Sequence, residues 1–246
     1  YDESDSRSLI KAIIKEMQLD DKVYKPASVH ARISMAKNNL MFPDEYARTR
    51  SLIERDAEQK VPAVSAIYSA YCERCKKANA MDFDDLLINT YRLLVSDADI
   101  RKKYSERFKY VLVDEYQDTN SVQQKIVWLL AEEHMHVCAV GDDAQSIYAF
   151  RGANIDNILD FQKQFAGTRL FKLERNYRST KRIVQAANSL IRHNERQIPK
   201  DIYSCNADGD KLSVKPAYSD REEAIIVCNE IKRIKRADRC GYNDFA

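Results

Sequence analysis

The sequence predicts an α/β chain, in which an all-helical N-terminal stretch is followed by a parallel sheet assembled from βαβ units. From the start to about Asn79 apolar residues recur three and four apart, and no strand is needed there. After Tyr110 short apolar runs alternate with helical ones, the pattern of βαβ units. Two of those runs end abruptly in carboxylates, and in open parallel sheets ligands bind at the carboxyl ends of the strands.

The elements follow in order. "RSLIKAIIKEMQ", "PASVHARISMAKNNL", "PDEYARTRSLIERDAEQ" and "VSAIYSAYCERCKKAN" read as helices, with Pro26, Pro43 and Pro62 where helices begin or end. "DFDDLLINTYRLLVSD" is a further helix; its Asp82, Asp84 and Asp85 favour the helix N-terminus through the dipole and are not placed in the active site. "YVLVDE" reads as a strand, "SVQQKIVWLLAEE" as a helix, "HVCAVGD" as a second strand, "IDNILDFQKQF" as a second helix and "RLFKLE" as a third strand. "STKRIVQAANSLIRHN" is a helix capped by Ser179. From Arg196 to Pro216 the chain is turn-rich, leading to a strand at "KLSVKP" and a last amphipathic helix at "DREEAIIVCNEIKRIKR".

Composition excludes little. In 246 residues, 40 basic side chains nearly cancel 38 acidic ones, so only local clustering can speak for a polyanionic partner. The six cysteines are scattered, no secretory h-region is present, and no apolar stretch approaches the roughly 20 residues of a membrane span. A reducing, cytoplasmic setting without membrane attachment is the expectation. Cys72 and Cys75 lie on an apolar helical stripe with no second pair to complete a zinc site, which favours core packing.

Three constellations carry chemistry. "VLVDEYQDTN" is a strand, expected to be buried on both faces, that delivers Asp114 and Glu115 to the sheet edge, with Asp118 close behind. There one carboxylate can hold Mg²⁺ and its neighbour can orient or deprotonate an attacking water. The same residues also suit an ordinary strand-to-helix turn, with Asp118 or Thr119 capping the helix that follows. "VCAVGDDAQSIYAFRGA" brings Gln145, able to bond both a phosphate oxygen and a water, and then Tyr148, Phe150 and Arg151. These aromatics are open to two uses, stacking unpaired bases beside an arginine or half-buried packing in a loop. "LERNYRST" sets Arg175, Tyr177 and Arg178 at a strand end, where an arginine can stabilise charge on a transferred phosphoryl group and a tyrosine can stack a base.

In their order and spacing, these three blocks, with "MDFDDLL" ahead of them, resemble the UvrD/Rep/PcrA family of superfamily 1 DNA helicases over almost the whole chain. The resemblance implies a partial RecA-like P-loop NTPase sheet with an all-helical inserted subdomain. Residues 1–78 would be part of the helical 1B subdomain, 79–169 the later part of domain 1A, and 170–246 the start of domain 2A. It implies an ATP-driven motor that moves 3′ to 5′ on single-stranded DNA and unwinds duplex, acting at single-strand/duplex junctions and alongside DNA-repair or replication proteins. Carried onto this sequence, Asp114 acts on Mg²⁺ with Glu115 beside it as catalytic base, and Gln145 contacts the γ-phosphate. Tyr177 stacks on adenine and Arg178 is an arginine finger, while Tyr148, Phe150 and Arg151 contact DNA. The family often has tryptophan at the position of Phe150 and glutamine at that of Arg175; the extra cation has no assigned role.

Departures from the pattern are absences. Hydrolysis in this class needs a Gly-rich loop with a lysine and a Ser/Thr, and none of the five glycines is followed by lysine. The adenine-reading glutamine and the late 2A motifs are also missing, so the expectation is an internal fragment, inactive by itself, of a longer helicase. Two other functions remain open. One is a non-catalytic module binding DNA or a partner through the helical region and "IKRIKR"; the other is a metal-dependent nuclease built on Asp114, Glu115, Asp118, Asp142 and Asp143.

Overall fold

Short polar side chains and prolines start the helices of the N-terminal stretch. In the computed structural model, which describes residues 1–245, α1 (Glu3–Glu16) is capped by Asp2, whose Oδ1 accepts the Asp5 N–H at 2.8 Å. Pro26 and Pro43 open α2 (Pro26–Asn38) and α3 (Pro43–Arg48), where a missing N–H costs nothing. The stretch read as one helix from Pro43 breaks at Thr49, which turns extended and separates α3 from α4 (Arg50–Glu58). The apolar stripes of α1, α2 and α5 (Val64–Lys77) meet in one core that includes Ile10, Ile13, Ile33, Ile67 and Tyr71. Cys75 is buried in it and Cys72 packs against it, and burial pushes the Cys72 thiol up to about 12.

Two further helices lead to the sheet. Asp82 caps α6 (Phe83–Ser96), and Asp97 caps α7 (Ala98–Arg107), whose mostly charged sequence hid it from apolar periodicity. Strands β1 (Val111–Val113) and β2 (Val137–Ala139) pair in parallel, with Val111 opposite Val137 and Val113 opposite Ala139, and α8 (Ser121–Ala131) connects them. Both strands are shorter than their apolar runs. Val111 and Val113 pack against a second core of Tyr116, Val127, Ala131, Phe161 and Phe165, but Leu112 is 74% exposed. The strand is therefore half-covered, contrary to the two-face burial expected from its apolar run. The helix read from Ile155 is divided at Asp160 into α9 (Asp156–Leu159) and α10 (Phe161–Gln164).

The chain divides into two compact units, Tyr1–Phe171 with Arg196–Pro199, and Lys172–Glu195 with Lys200–Ala246. "RLFKLE", which runs across the boundary at Phe171, is not a strand: Arg169 to Glu174 carry no ladder, and in the second unit only Arg175–Asn176 (β3) pairs, in parallel, with Tyr203–Ser204 (β4). With Phe171 and Leu173 almost fully exposed, no packing face supports the apolar run. "KLSVKP" is likewise irregular and exposed. α11 (Lys181–Ile191) has Thr180, not Ser179, at its N-cap position, with no side-chain capping bond, while Asn176 Oδ1 accepts the Arg178 and Ser179 N–H groups in the preceding turn. α12 (Asp220–Asp238) carries the basic run on an exposed face, where hydrogen bonds from Arg233 and Lys215 hold the Glu230 carboxyl down to about 2. Helix-rich with small parallel sheets is thus the observed architecture.

Candidate functional site

The parallel register brings two loops to one edge of the β1–β2 sheet. Val140 N donates to Val113 O at 2.8 Å and Tyr116 N to Val140 O at 2.9 Å, so Asp114–Glu115 and Gly141–Asp142 leave the sheet side by side. Asp114 Oδ1 accepts the N–H of Glu115 at 2.9 Å. Glu115 itself lies in the left-handed region, φ +49°, which a side chain other than glycine rarely adopts.

Gln117 holds the two loops together. The residue is 1% exposed; Nε2 donates to Glu115 Oε2 at 2.8 Å, and Oε1 accepts the Asp142 N–H at 3.0 Å. Asp142 Oδ2 in turn accepts from Gln145 Nε2 at 2.8 Å. Glu115, Gln117, Asp142 and Gln145 form one continuous hydrogen-bonded chain. Gly141 makes room for it, since a Cβ there would fall 2.6 Å from Gln117 Oε1.

Beyond Gln145 the loop turns outward. Tyr148 and Phe150 are exposed, Phe150 at 71%, and the Arg151 guanidinium sits 5.2 and 5.4 Å from their ring centroids. The cluster is not core packing. Phe150 borders a cavity of about 450 Å³ with Arg32, Met35, Tyr46 and Arg55. Gly152, φ +90°, closes the turn against Asn38.

The helix after the first loop is capped by Asn120, not by Asp118 or Thr119. Asn120 Oδ1 accepts the Gln123 N–H at 2.9 Å, and its Nδ2 donates to Asn38 Oδ1 at 2.8 Å. Asn157 Nδ2 donates to Thr119 O at 3.0 Å. Asp118 Oδ2 lies 3.4 Å from Gln117 Nε2, the nitrogen that also donates to Glu115, whereas Asp143 Oδ2 accepts the Ile198 N–H at 2.9 Å. Among the described residues, no three His, Cys, Asp or Glu side chains converge on a point that could hold a metal ion.

Tyr177 and Arg178 belong to the second unit. Tyr177 is 73% exposed, and the Arg175 guanidinium covers one ring face, 4.6 Å from the centroid. Asn206 Nδ2 donates to Tyr177 O at 3.2 Å and Ser179 O at 3.0 Å, fixing the backbone of the turn.

Sequence reasoning missed a buried ion cluster. Lys37, 1% exposed, places Nζ 2.6 Å from Asp82 Oδ2 and 2.7 Å from Asp85 Oδ1. The Tyr71 hydroxyl donates to Asp82 Oδ2 at 2.8 Å and lies 3.0 Å from Ser6 Oγ. Burial alone would lower the Lys37 pKa, but the two carboxylates outweigh it and raise it. The signal was the position of Lys37 on the stripe of Val29 and Ile33, four residues after Ile33.

Comparison with known proteins gives a consistent picture. Residues 1–166 match the family model described as the UvrD/REP helicase N-terminal domain, and residues 171–246 the UvrD-like helicase C-terminal domain. The chain is 38% identical over 245 residues, all of its length and 32% of the relative's, to a protein named ATP-dependent DNA helicase PcrA from Leuconostoc citreum. It is equally similar, 38%, to the Bacillus subtilis (strain 168) protein of the same name, with the same coverage. A Rickettsia felis protein named probable DNA helicase II homolog is 36% identical over 98% of this chain and 36% of its own length. The chain thus spans about a third of the length of the curated relatives it matches.

Proposed function

The chain belongs to the UvrD/REP helicase family, and from that premise we propose that it carries the hydrolytic edge of an ATP-dependent DNA helicase. The motor would be RecA-like, with residues 79–169 in its first domain, 170–246 opening its second, and 1–78 an inserted helical subdomain. The observation that carries the reading is the parallel register that sets Asp114–Glu115 beside the loop holding Gln145.

In this reading Glu115 takes a proton from water as the water oxygen bonds to the γ-phosphorus. The bond to the bridging oxygen breaks, and ADP leaves with its electron pair. Gln145 contacts the γ-phosphate, Tyr177 stacks on adenine, and Arg178 meets the developing charge. Mg²⁺ would neutralise phosphate charge. Asp114, with Glu115 beside it, fits that ion: with no three-carboxylate cage among the described residues, it would rely on one or two protein oxygens, phosphate and water, as Mg²⁺ usually does. Tyr148, Phe150 and Arg151 stack and clamp single-stranded DNA, supporting 3′ to 5′ movement and unwinding at junctions, alongside repair or replication proteins.

This chain alone lacks a glycine-rich phosphate cradle, from which much of the binding energy for a triphosphate comes, and on that ground does not hydrolyse ATP. The test is ATP hydrolysis by the 246-residue chain and by the full-length protein, each with and without single-stranded DNA. Hydrolysis stimulated by DNA in the full-length protein alone supports the reading; a short chain that hydrolyses equally well sinks the claim that it lacks its phosphate site.

A second reading rests on the exposed Tyr148–Phe150–Arg151 cluster, which needs no nucleotide to present its rings. A non-catalytic DNA-binding module would bind single strands with an affinity indifferent to ATP. The nuclease reading has less support, because Asp143 Oδ2 is taken by the Ile198 N–H; metal-dependent DNA cleavage without ATP would revive it.

A further inference from the structure

Gln117 has no role in the hydrolytic scheme above, yet it is the most enclosed polar side chain between the two loops that the scheme uses. Its orientation follows from chemistry. The Asp142 backbone N–H can only donate, so it fixes Oε1 on that side. Nε2 must then face Glu115, whose carboxylate can only accept. Swapping the two ends of the amide would set N–H against N–H and oxygen against oxygen. Gly141 adds a steric limit on the same group: any side chain there meets Gln117 Oε1 or Ile158. The backbone oxygen of Gln117 accepts from Ser146 Oγ at 3.3 Å, so the residue is tied to the second loop at two levels.

We infer that Gln117 is a positioning residue, which acts through Glu115 by fixing the carboxylate and coupling it to the Asp142–Gln145 arm. The inference rests on the reading of Glu115 as base and Gln145 as phosphate sensor. Glu115 stands in a left-handed backbone conformation, which persists only where the surroundings hold it. One donated hydrogen bond, from Gln117, holds its side chain. The continuous chain to Gln145 means that a shift of either loop reaches the other through a single buried amide.

The experiment uses the full-length protein with saturating ATP and single-stranded DNA. Gln117→Glu keeps the shape and an oxygen for the Asp142 N–H but turns a carboxylate toward Glu115. Gln117→Asn stays neutral and is one methylene too short to span both partners. Each is expected to lower kcat by about 10-fold or more, with KM for ATP within about twofold of wild type. In a Glu115→Gln background, single-turnover rates should fall by less than about twofold on adding either change, because the residue acts through Glu115. Where the buried charge of Gln117→Glu lowers the melting midpoint, Gln117→Asn carries the test. With an active wild type, an unchanged kcat in Gln117→Asn, or a loss that multiplies with that of Glu115→Gln, overturns the inference and leaves the helicase reading standing. A full-length protein without DNA-stimulated hydrolysis overturns that reading and this inference with it.

Discussion

At Glu115 and Tyr116, adjacent residues have opposite tasks. Glu115 is exposed at the sheet edge in a strained conformation, and Glu115→Gln in the full-length protein should retain ATP and DNA binding while hydrolysis falls by about 10²-fold or more. Turnover close to wild type would remove Glu115 from the role of base. Tyr116 is wholly buried, and its hydroxyl has no hydrogen-bond partner among the described residues; burial pushes its pKa up to about 12. Tyr116→Phe removes an unpaired polar atom, so chemical denaturation should show stability unchanged or raised by up to about 1 kcal/mol. A clear loss would point to an unseen partner for that oxygen. The carboxylate pair and Gln145 were readable from the chain because strand ends announce themselves by an abrupt change from apolar to acidic. Gln117 was not, since its partner Asp142 lies 25 residues away and glutamine has no distinctive pattern.

Among the elements, α6 shows how a cap can double as an ion site. Asp82 and Asp85 form its capping box and also hold Lys37 of α2, so the dipole reading of the acidic turn was correct but incomplete. Removing the cation leaves two carboxylates enclosed, and Lys37→Ala should cost about 3–5 kcal/mol in urea denaturation. The pH dependence follows from the direction of each shift. Burial would raise the Asp82 pKa, but Lys37 lowers it below 3.8. Its contribution is present above the unfolded value and lost as pH falls through the folded one. The Lys37 value is raised above 10.5, so its contribution is complete below 10.5 and lost only as pH rises through the folded value. The stability difference between wild type and Asp82→Asn should therefore be flat near neutrality and fade below about pH 4; a difference that grows in acid would contradict the ion pair. Helices were the best-read elements, because their stripes are local. The "RLFKLE" and "KLSVKP" strands failed because a strand exists only where a partner and a face are supplied, and apolar composition supplies neither.

Across the whole molecule, burial is unevenly shared. Val184 is the only buried apolar residue in the second unit among those described, whereas the first has two cores. Hydrogen exchange should therefore release the amides of α11 and α12 well before those of α1, α2 and α5. Equal protection in both units would mean that the second is held by something other than its own packing. The enclosed Lys37 has a use of a different kind. Its ammonium is sealed and charged, so an amine-acylating reagent should leave it unmodified while it labels exposed lysines such as Lys163. The mass of the peptide carrying Lys37 then becomes a clock for opening of the helical core, read without a dye, a tag or an activity.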